Sequence, residues 1–365
     1  MEKLRIGIIG CGAIAQIQYL PLLRQMSDAF AIAGLSDLSS TVLSQVGDSY
    51  GVPKQRRFQS YDDLVQSEID AVVICNSGSH APPSIAAAKA GKHLLVEKPM
   101  ATTPEEAKAM VDASDASGVT LMVGYMKRHD PAYHFAASAV RQMEDVRFAQ
   151  TQHLHPNNRN HLAKFPLIPA TDLSQAVRDE GAAIYADAIA AMLGYDSRDA
   201  MPAAVKLAFS SIHGSMIHDI GNLSGLFGPP ERVISTEIWS DGAGIATTLA
   251  YASGLRAQMT WIDLPELNLF DETLAVYGAR ERVVVSFPTG FSIGTPSTVT
   301  TMRIGDDGHP SSTFRSWDDN TFAHELRHLK WCVETGNRPI TNGRDAVADI
   351  ALVRDIVLAY TAANR

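Results

Sequence analysis

Leu4-Arg5-Ile6-Gly7-Ile8-Ile9 is a short apolar run that passes without a linker into Gly10-Cys11-Gly12-Ala13-Ile14-Ala15. Ile17, Leu20 and Leu23 then recur at helical spacing. Strand, tight glycine turn and helix in that order are the context a G-x-G-x-x-A dinucleotide fingerprint requires. Gly10 permits the turn, Gly12 lets a pyrophosphate approach the backbone, and Ala15 lets helix and strand pack closely. The helix start, with Ala13 and Ile14, offers unpaired N–H groups and the positive end of a dipole to phosphate. Ala31 to Ser36 reads as a second strand, closed by Asp37, 22 residues after Ala15. A carboxylate there accepts hydrogen bonds from ribose hydroxyls and repels a 2′-phosphate. Leu38, Ser39 and Ser40 follow, with no arginine to receive such a phosphate, so the reading is NAD rather than NADP.

The pattern continues. Ala71 to Cys75 reads as a strand ending in Asn76-Ser77-Gly78-Ser79-His80, and the alanine-rich stretch from Pro82 to Ala90 as a helix, with Gly91 suited to its C-cap. Asn76 and His80 thus stand at a strand end beside any bound nicotinamide. Leu94 to Val96 is another buried strand, ending in Glu97-Lys98-Pro99. The carboxyl end of such a strand is where open α/β sheets bind their ligands. Pro99 stops the chain running straight on into a helix, an arrangement that can point the Lys98 ammonium into a cleft. Thr103-Pro104-Glu105-Glu106 predicts an N-cap, a first-turn proline and a capping box. Val119 to Val123 is the next strand. Alternating strands and helices predict a Rossmann, doubly wound parallel sheet over residues 1–125.

Residues 126–365 read differently. Strand-length alternation over Val233–Trp239, Ile245–Ala252, Arg256–Ile262, Thr273–Gly278 and Arg282–Phe287 predicts a large, mostly antiparallel sheet in a C-terminal α+β domain. Helices are expected over Asp172–Leu193, Phe322–Glu334 and Gly343–Ala363. Asp145 to Gln152 reads as a strand leading into a polar loop from His153 to His161. That loop, with His153, His155 and Asn157, suits a hydroxyl-rich substrate, since sugars need many amide and imidazole hydrogen bonds. A solvated loop is the competing reading. No carboxylate or cysteine has the spacing for a metal site with these histidines, so no metal is expected.

The net charge of −9 over 365 residues argues against nucleic acid or an anionic membrane as the main partner. Cys11, Cys75 and Cys332 are too few and too scattered for a disulfide framework and read as buried thiols. With no long apolar span, the cytoplasm is the expected compartment.

Gly10-x-Gly12-x-x-Ala15, Ala90-Gly91-Lys92-His93 with Glu97-Lys98-Pro99, and Gly124-Tyr125-Met126-Lys127-Arg128 with Asp130-Pro131-Ala132-Tyr133 together resemble the Gfo/Idh/MocA oxidoreductases. The resemblance implies an NAD-dependent dehydrogenase acting on a CH–OH group of a sugar, polyol or glycoside, and a homodimer or homotetramer. It makes Gly10, Gly12, Ala13, Ile14, Ala15, Asp37, Asn76, His80, Glu97 and Lys98 the cofactor-binding candidates. Lys98, Lys127, Arg128, His153, His155, Asn157 and His218 become the substrate-binding candidates. Counting back from Leu226-Phe227-Gly228 places the family's catalytic histidine at His218, with Lys98 as its catalytic partner. The family's usual aspartates four residues before and three after it are Gly214 and Gly221 here. Asp219 is expected to point elsewhere, about 100° round the helix. A non-catalytic NAD- or sugar-binding sensor, and a glycosidase working through transient oxidation and elimination, stand as alternatives.

Overall fold

The computed structural model describes residues 2–363. Two compact units divide the chain. The first comprises residues up to Gly124, Leu162–Arg198 and Phe322–Ile350, and the second Tyr125–His161, Asp199–Thr321 and the chain from Ala351.

In the first unit, β1 (Leu4–Ile9), β2 (Phe30–Ser36), β3 (Arg57–Phe58), β4 (Ala71–Ile74), β5 (His93–Glu97) and β6 (Leu121–Gly124) form a sheet in the order β3-β2-β1-β4-β5-β6. Every neighbouring pair is parallel. This is the doubly wound order, and helices cover both faces of such sheets. That is why β4 is buried throughout and reads as an unbroken apolar run. Ligands of such sheets bind at the strands' carboxyl ends, where the order reverses. Here the reversal lies between β1 and β4, with Gly10 and Cys75 following them.

Two local differences from expectation have physical causes. The helix after the glycine loop opens as a π-helical turn, Ala15–Tyr19, before the regular Leu20–Gln25 helix. Pro21 has no N–H for the usual bond to Ile17, so the hydrogen-bond ladder is reset there. The expected helix from Asp172 begins only at Gln175, with Ser174 as its N-cap. Asp172 is engaged elsewhere, as described below.

In the second unit, β7 (Val146–His155), β8 (Arg232–Trp239), β9 (Gly244–Ala250), β10 (Arg256–Asp263), β11 (Asp271–Gly278), β12 (Glu281–Phe287), β13 (Ser297–Ile304) and β14 (Pro310–Trp317) form one sheet, in the order β14-β13-β12-β11-β7-β10-β9-β8. Only β7 and β10 run parallel. Val283, Val285 and Phe287 alternate inward on β12. The Pro131–Arg141 helix packs on β12, β13 and β14, burying Ala132, Tyr133, Ala136, Ala137 and Val140.

The expected polar loop at His153 is partly a strand. β7 has partners on both sides, with His153 opposite Trp261 of β10 and Glu272 of β11, and this pairing carries regular structure to His155. Asn158–Leu162 is a short helix. Among the described residues, no helix is long and apolar enough to cross a membrane.

Candidate active site

The sequence candidates fall into two groups, one in each unit. In the first unit, Gly10 has φ +85°, and a Cβ there would lie 2.4 Å from Asn76 backbone atoms, so only glycine lets the loop pack on the end of β4. A Cβ on Gly12 would meet nothing within 4 Å, which leaves that side of the loop open to a phosphate. Asp37 ties the loop to the next element: its Oδ2 accepts from Cys11 N at 2.8 Å and its Oδ1 from Ser39 N at 2.8 Å. Each carboxylate oxygen keeps a further lone pair for a ribose hydroxyl. Asn76 donates through Nδ2 to the Ser77 and Ser79 carbonyls, while its buried Oδ1 has no partner. The open glycine, the fixed carboxylate and this orphan acceptor at adjacent strand ends fit a dinucleotide.

His80 is buried, with Nδ1 2.9 Å from the Pro99 carbonyl and Nε2 3.0 Å from that of Asn76. Burial holds its imidazole below the ordinary pKa despite these carbonyls. A neutral imidazole has one N–H, so His80 donates to one of these two carbonyls while packing between the ends of β4 and β5. Burial raises the Cys11 and Cys75 thiols well above the normal range, which makes both inert.

Lys98 is half-buried, just beyond β5, and the Lys98–Pro99 peptide is cis. Glu97 is buried and turned inward. Its Oε2 accepts from Lys98 N at 3.0 Å and its Oε1 from the Tyr19 hydroxyl at 2.7 Å. The same hydroxyl lies 3.1 Å from Oε2 of Glu325, whose Oε1 is buried without a partner. One phenolic proton cannot serve two carboxylates, so one acid must bring its own. Burial raises both acids, and the nearby Glu97 charge pushes Glu325 further, which makes Glu325 the better holder of the proton. Glu97 then stays the acceptor that fixes the backbone of Lys98.

The second group surrounds Lys127, His153 and His155 with partners that sequence reasoning missed. His153 Nδ1 lies 3.2 Å from Asp219 Oδ2 and 3.6 Å from Glu272 Oε2. The buried Lys127 ammonium pairs with that same Glu272 oxygen, and the Phe270 and Phe287 rings flank it. On its other side, His153 Nε2 is 3.3 Å from His155 Nδ1 and 3.3 Å from Ser215 Oγ, which accepts from Trp261 Nε1 at 3.0 Å. His155 stacks on Trp261, with ring centroids 5.8 Å apart. Asp219 is raised by burial and then by the Glu272 charge. Ligand atoms of His153, Asp219 and Glu272 lie within 4.8 Å of one another, a set able to hold a metal ion, although Lys127 already supplies a cation there. Asp219 was read only as pointing away from His218, and Glu272, Ser215 and Trp261 were not singled out, because strand pairing and helix packing bring them together across 46 to 119 residues.

Asp219 does point away from His218, as its helical offset requires: it is buried against His153, while His218 is half-buried in the first turn of the Ile217–Phe227 helix. A Cβ on Gly214 would meet nothing within 4 Å, whereas one on Gly221 would press on the Tyr125 ring at 3.3 Å. Arg128 lies against the same helix, its Nε only 2.4 Å from where a Cβ on Gly225 would stand. Asn157 is exposed and caps Arg159 N at 3.0 Å.

Residues 4–125 match the model of the oxidoreductase family with an NAD-binding Rossmann fold, Gfo/Idh/MocA. Over those residues, a third of its length, the chain is similar to the Gfo/Idh/MocA oxidoreductases. Inositol 2-dehydrogenase of Paracoccus denitrificans is 35% identical over 143 residues, 38% of this chain and 42% of that protein. Inositol 2-dehydrogenase of Agrobacterium fabrum is 33% identical over 159 residues, 43% of this chain and 46% of that protein. The chain thus matches less than half the length of these curated relatives. The aldose–aldose oxidoreductase of Caulobacter crescentus, solved with glycerol, superposes with a TM-score of 0.75 at 21% identity, covering 99% of this chain and 98% of that one. That likeness shows the fold, and it extends over both units.

Proposed function

We propose that this chain is a Gfo/Idh/MocA-type, NAD-dependent oxidoreductase acting on a CH–OH carbon of a sugar, polyol or glycoside. The observation that carries the reading is the arrangement of the first unit. There the glycine loop, Asp37, Asn76 and Lys98 all follow the carboxyl ends of β1, β2, β4 and β5, and the Glu97 carboxylate fixes the Lys98 backbone. Nicotinamide, when bound, supplies the hydride acceptor. Lys98 donates a hydrogen bond to the reacting oxygen and stabilises its developing negative charge. His218 accepts the hydroxyl proton, work suited to a near-neutral imidazole. Lys127 and His153 hold a charged scaffold behind His155, and His155, Arg128 and Asn157 meet substrate hydroxyls. Nucleotide binding is assigned to residues 1–125, and substrate binding and association to 126–365. The names of the inositol 2-dehydrogenases support a polyol or sugar substrate. Free thiols at Cys11, Cys75 and Cys332 and an acidic net charge support a cytoplasmic protein without nucleic-acid or membrane partners.

The deciding experiment incubates pure protein with NAD and a panel of sugars, polyols and glycosides while NADH absorbance is followed. Reduction with one class names the substrate. NAD binding without turnover on the whole panel, and without glycoside cleavage, leaves the sensor reading instead.

A further inference from the structure

Residues 162–198 belong to the first unit although the chain enters and leaves them from the second. Two contacts lay the start of this segment along the nucleotide side of the sheet. Gln16, in the turn after the glycine loop, clamps the Ile168 backbone: Ile168 N donates to Oε1 at 2.8 Å, and Nε2 donates to the Ile168 carbonyl at 3.0 Å and to that of Cys11 at 2.8 Å. Four residues on, the exposed Asp172 carboxylate is held by the Ser39 hydroxyl, by the Ser40 hydroxyl at 2.9 Å and by Thr41 N at 3.1 Å.

Those three donors open the Ser40–Ser49 helix, with Ser39 as its N-cap. Two hydroxyls and a helix N-terminal N–H are a set that receives phosphate. They also directly follow Asp37, itself fixed by Cys11 N and Ser39 N. If Asp37 holds the ribose, a phosphate on the neighbouring ribose hydroxyl reaches toward the same donors. In this chain they are already taken by an anion. The three donors hold the Asp172 carboxyl well below the usual range, the Ser39 hydroxyl first, so it is ionised at any working pH.

We propose that Asp172 is a second determinant of NAD over NADP, a resident carboxylate that fills the donors a 2′-phosphate would need and repels that phosphate. The inference rests on the dinucleotide reading of the first unit. NAD, lacking the phosphate, leaves these contacts intact, whereas NADP has to displace Asp172 and sit beside two carboxylates. Discrimination of this kind works against the wrong ligand rather than for the right one.

Fluorescence titration of the full chain with NAD and with NADP tests it, on wild type, Asp172→Ser and Asp172→Asn. Asp172 is exposed, so neither change threatens the fold. The expected result is NAD affinity within about twofold of wild type in both variants, with NADP affinity raised about tenfold in Asp172→Ser. Asp172→Asn, which removes the charge but still occupies the hydroxyls, should gain less. NADP affinity unchanged in both variants while NAD binds normally overturns this inference alone. Wild type binding NADP as tightly as NAD also overturns it. Wild type binding neither nucleotide overturns the dinucleotide reading as well.

Discussion

At the scale of single residues, the chemistry assigned to Lys98 and His218 makes a sharp expectation. Hydride leaves carbon only as the hydroxyl gives up its proton, so the oxygen needs a proton acceptor and a positive neighbour. Removing a proton-transfer group costs about 10²–10⁴-fold in rate. Lys98→Ala and His218→Ala should each lower turnover by about 100-fold or more, with NAD titration nearly unchanged. If the two proposed roles meet on one oxygen, the double variant should be far less than additively worse. Near-wild-type turnover in His218→Ala would move the proton acceptor to His155, the half-buried member of the His153 constellation. Glu325 gives a second test, in stability. Its folded pKa lies above its unfolded value, so the native state binds the extra proton more tightly. Stability therefore falls as pH rises from about 4.5 toward the folded pKa, where only the unfolded chain has released the proton. Glu325→Gln keeps a neutral group that can donate to Tyr19 and does not titrate. Its melting temperature should gain on wild type as pH rises above about 4.5, and a pH-independent difference would mean that the two carboxylates at Tyr19 bind no extra proton in the folded state.

At the scale of elements, the first unit was legible because its signals are local. A parallel strand buried on both faces is a continuous apolar run, and caps lie within four residues of the helices they start. Thr103 accepts from Glu106 N at 3.2 Å, as the spacing of its box predicts. The Glu106 carboxylate, however, returns to Thr102 N at 2.9 Å rather than to Thr103. Thr103→Ala should therefore cost about 1 kcal/mol in chemical unfolding. A loss of only a few tenths would mean that the Glu106 arm alone holds the helix start. The extent of β7 was less legible. Its last residues are polar, and only hydrogen bonds from β10 and β11 on either side make them strand.

At the scale of the whole molecule, the eight-stranded sheet carries the expectation of association. Ile234 and Trp239 on β8, Met302 on β13 and Phe314 on β14 are exposed large apolar side chains. β14 is also an edge strand, exposed along nearly its whole length, and such edges invite pairing or cover. A homodimer or homotetramer is expected by light scattering at micromolar concentration. A monomer under those conditions would leave these side chains without a role in association.

By itself, the sequence determined the glycine loop, Asp37 at the end of β2, Glu97-Lys98-Pro99 at the end of β5 and the parallel, doubly wound character of the first sheet. Each of these is written in neighbouring residues, through periodicity, turn chemistry and spacing along one element. Only the tertiary structure decided the partners: Asp219 and Glu272 for His153, Glu325 for Tyr19 and Glu97, and Asp172 for Ser39 and Ser40. Those contacts join residues 66 to 306 positions apart. Their cause is the pairing of β7 with β11 and the packing of helices and connecting segments within each unit. Bringing distant carboxylates beside an imidazole, a phenol or a pair of hydroxyls is a consequence of chain crossing, and no local pattern encodes it.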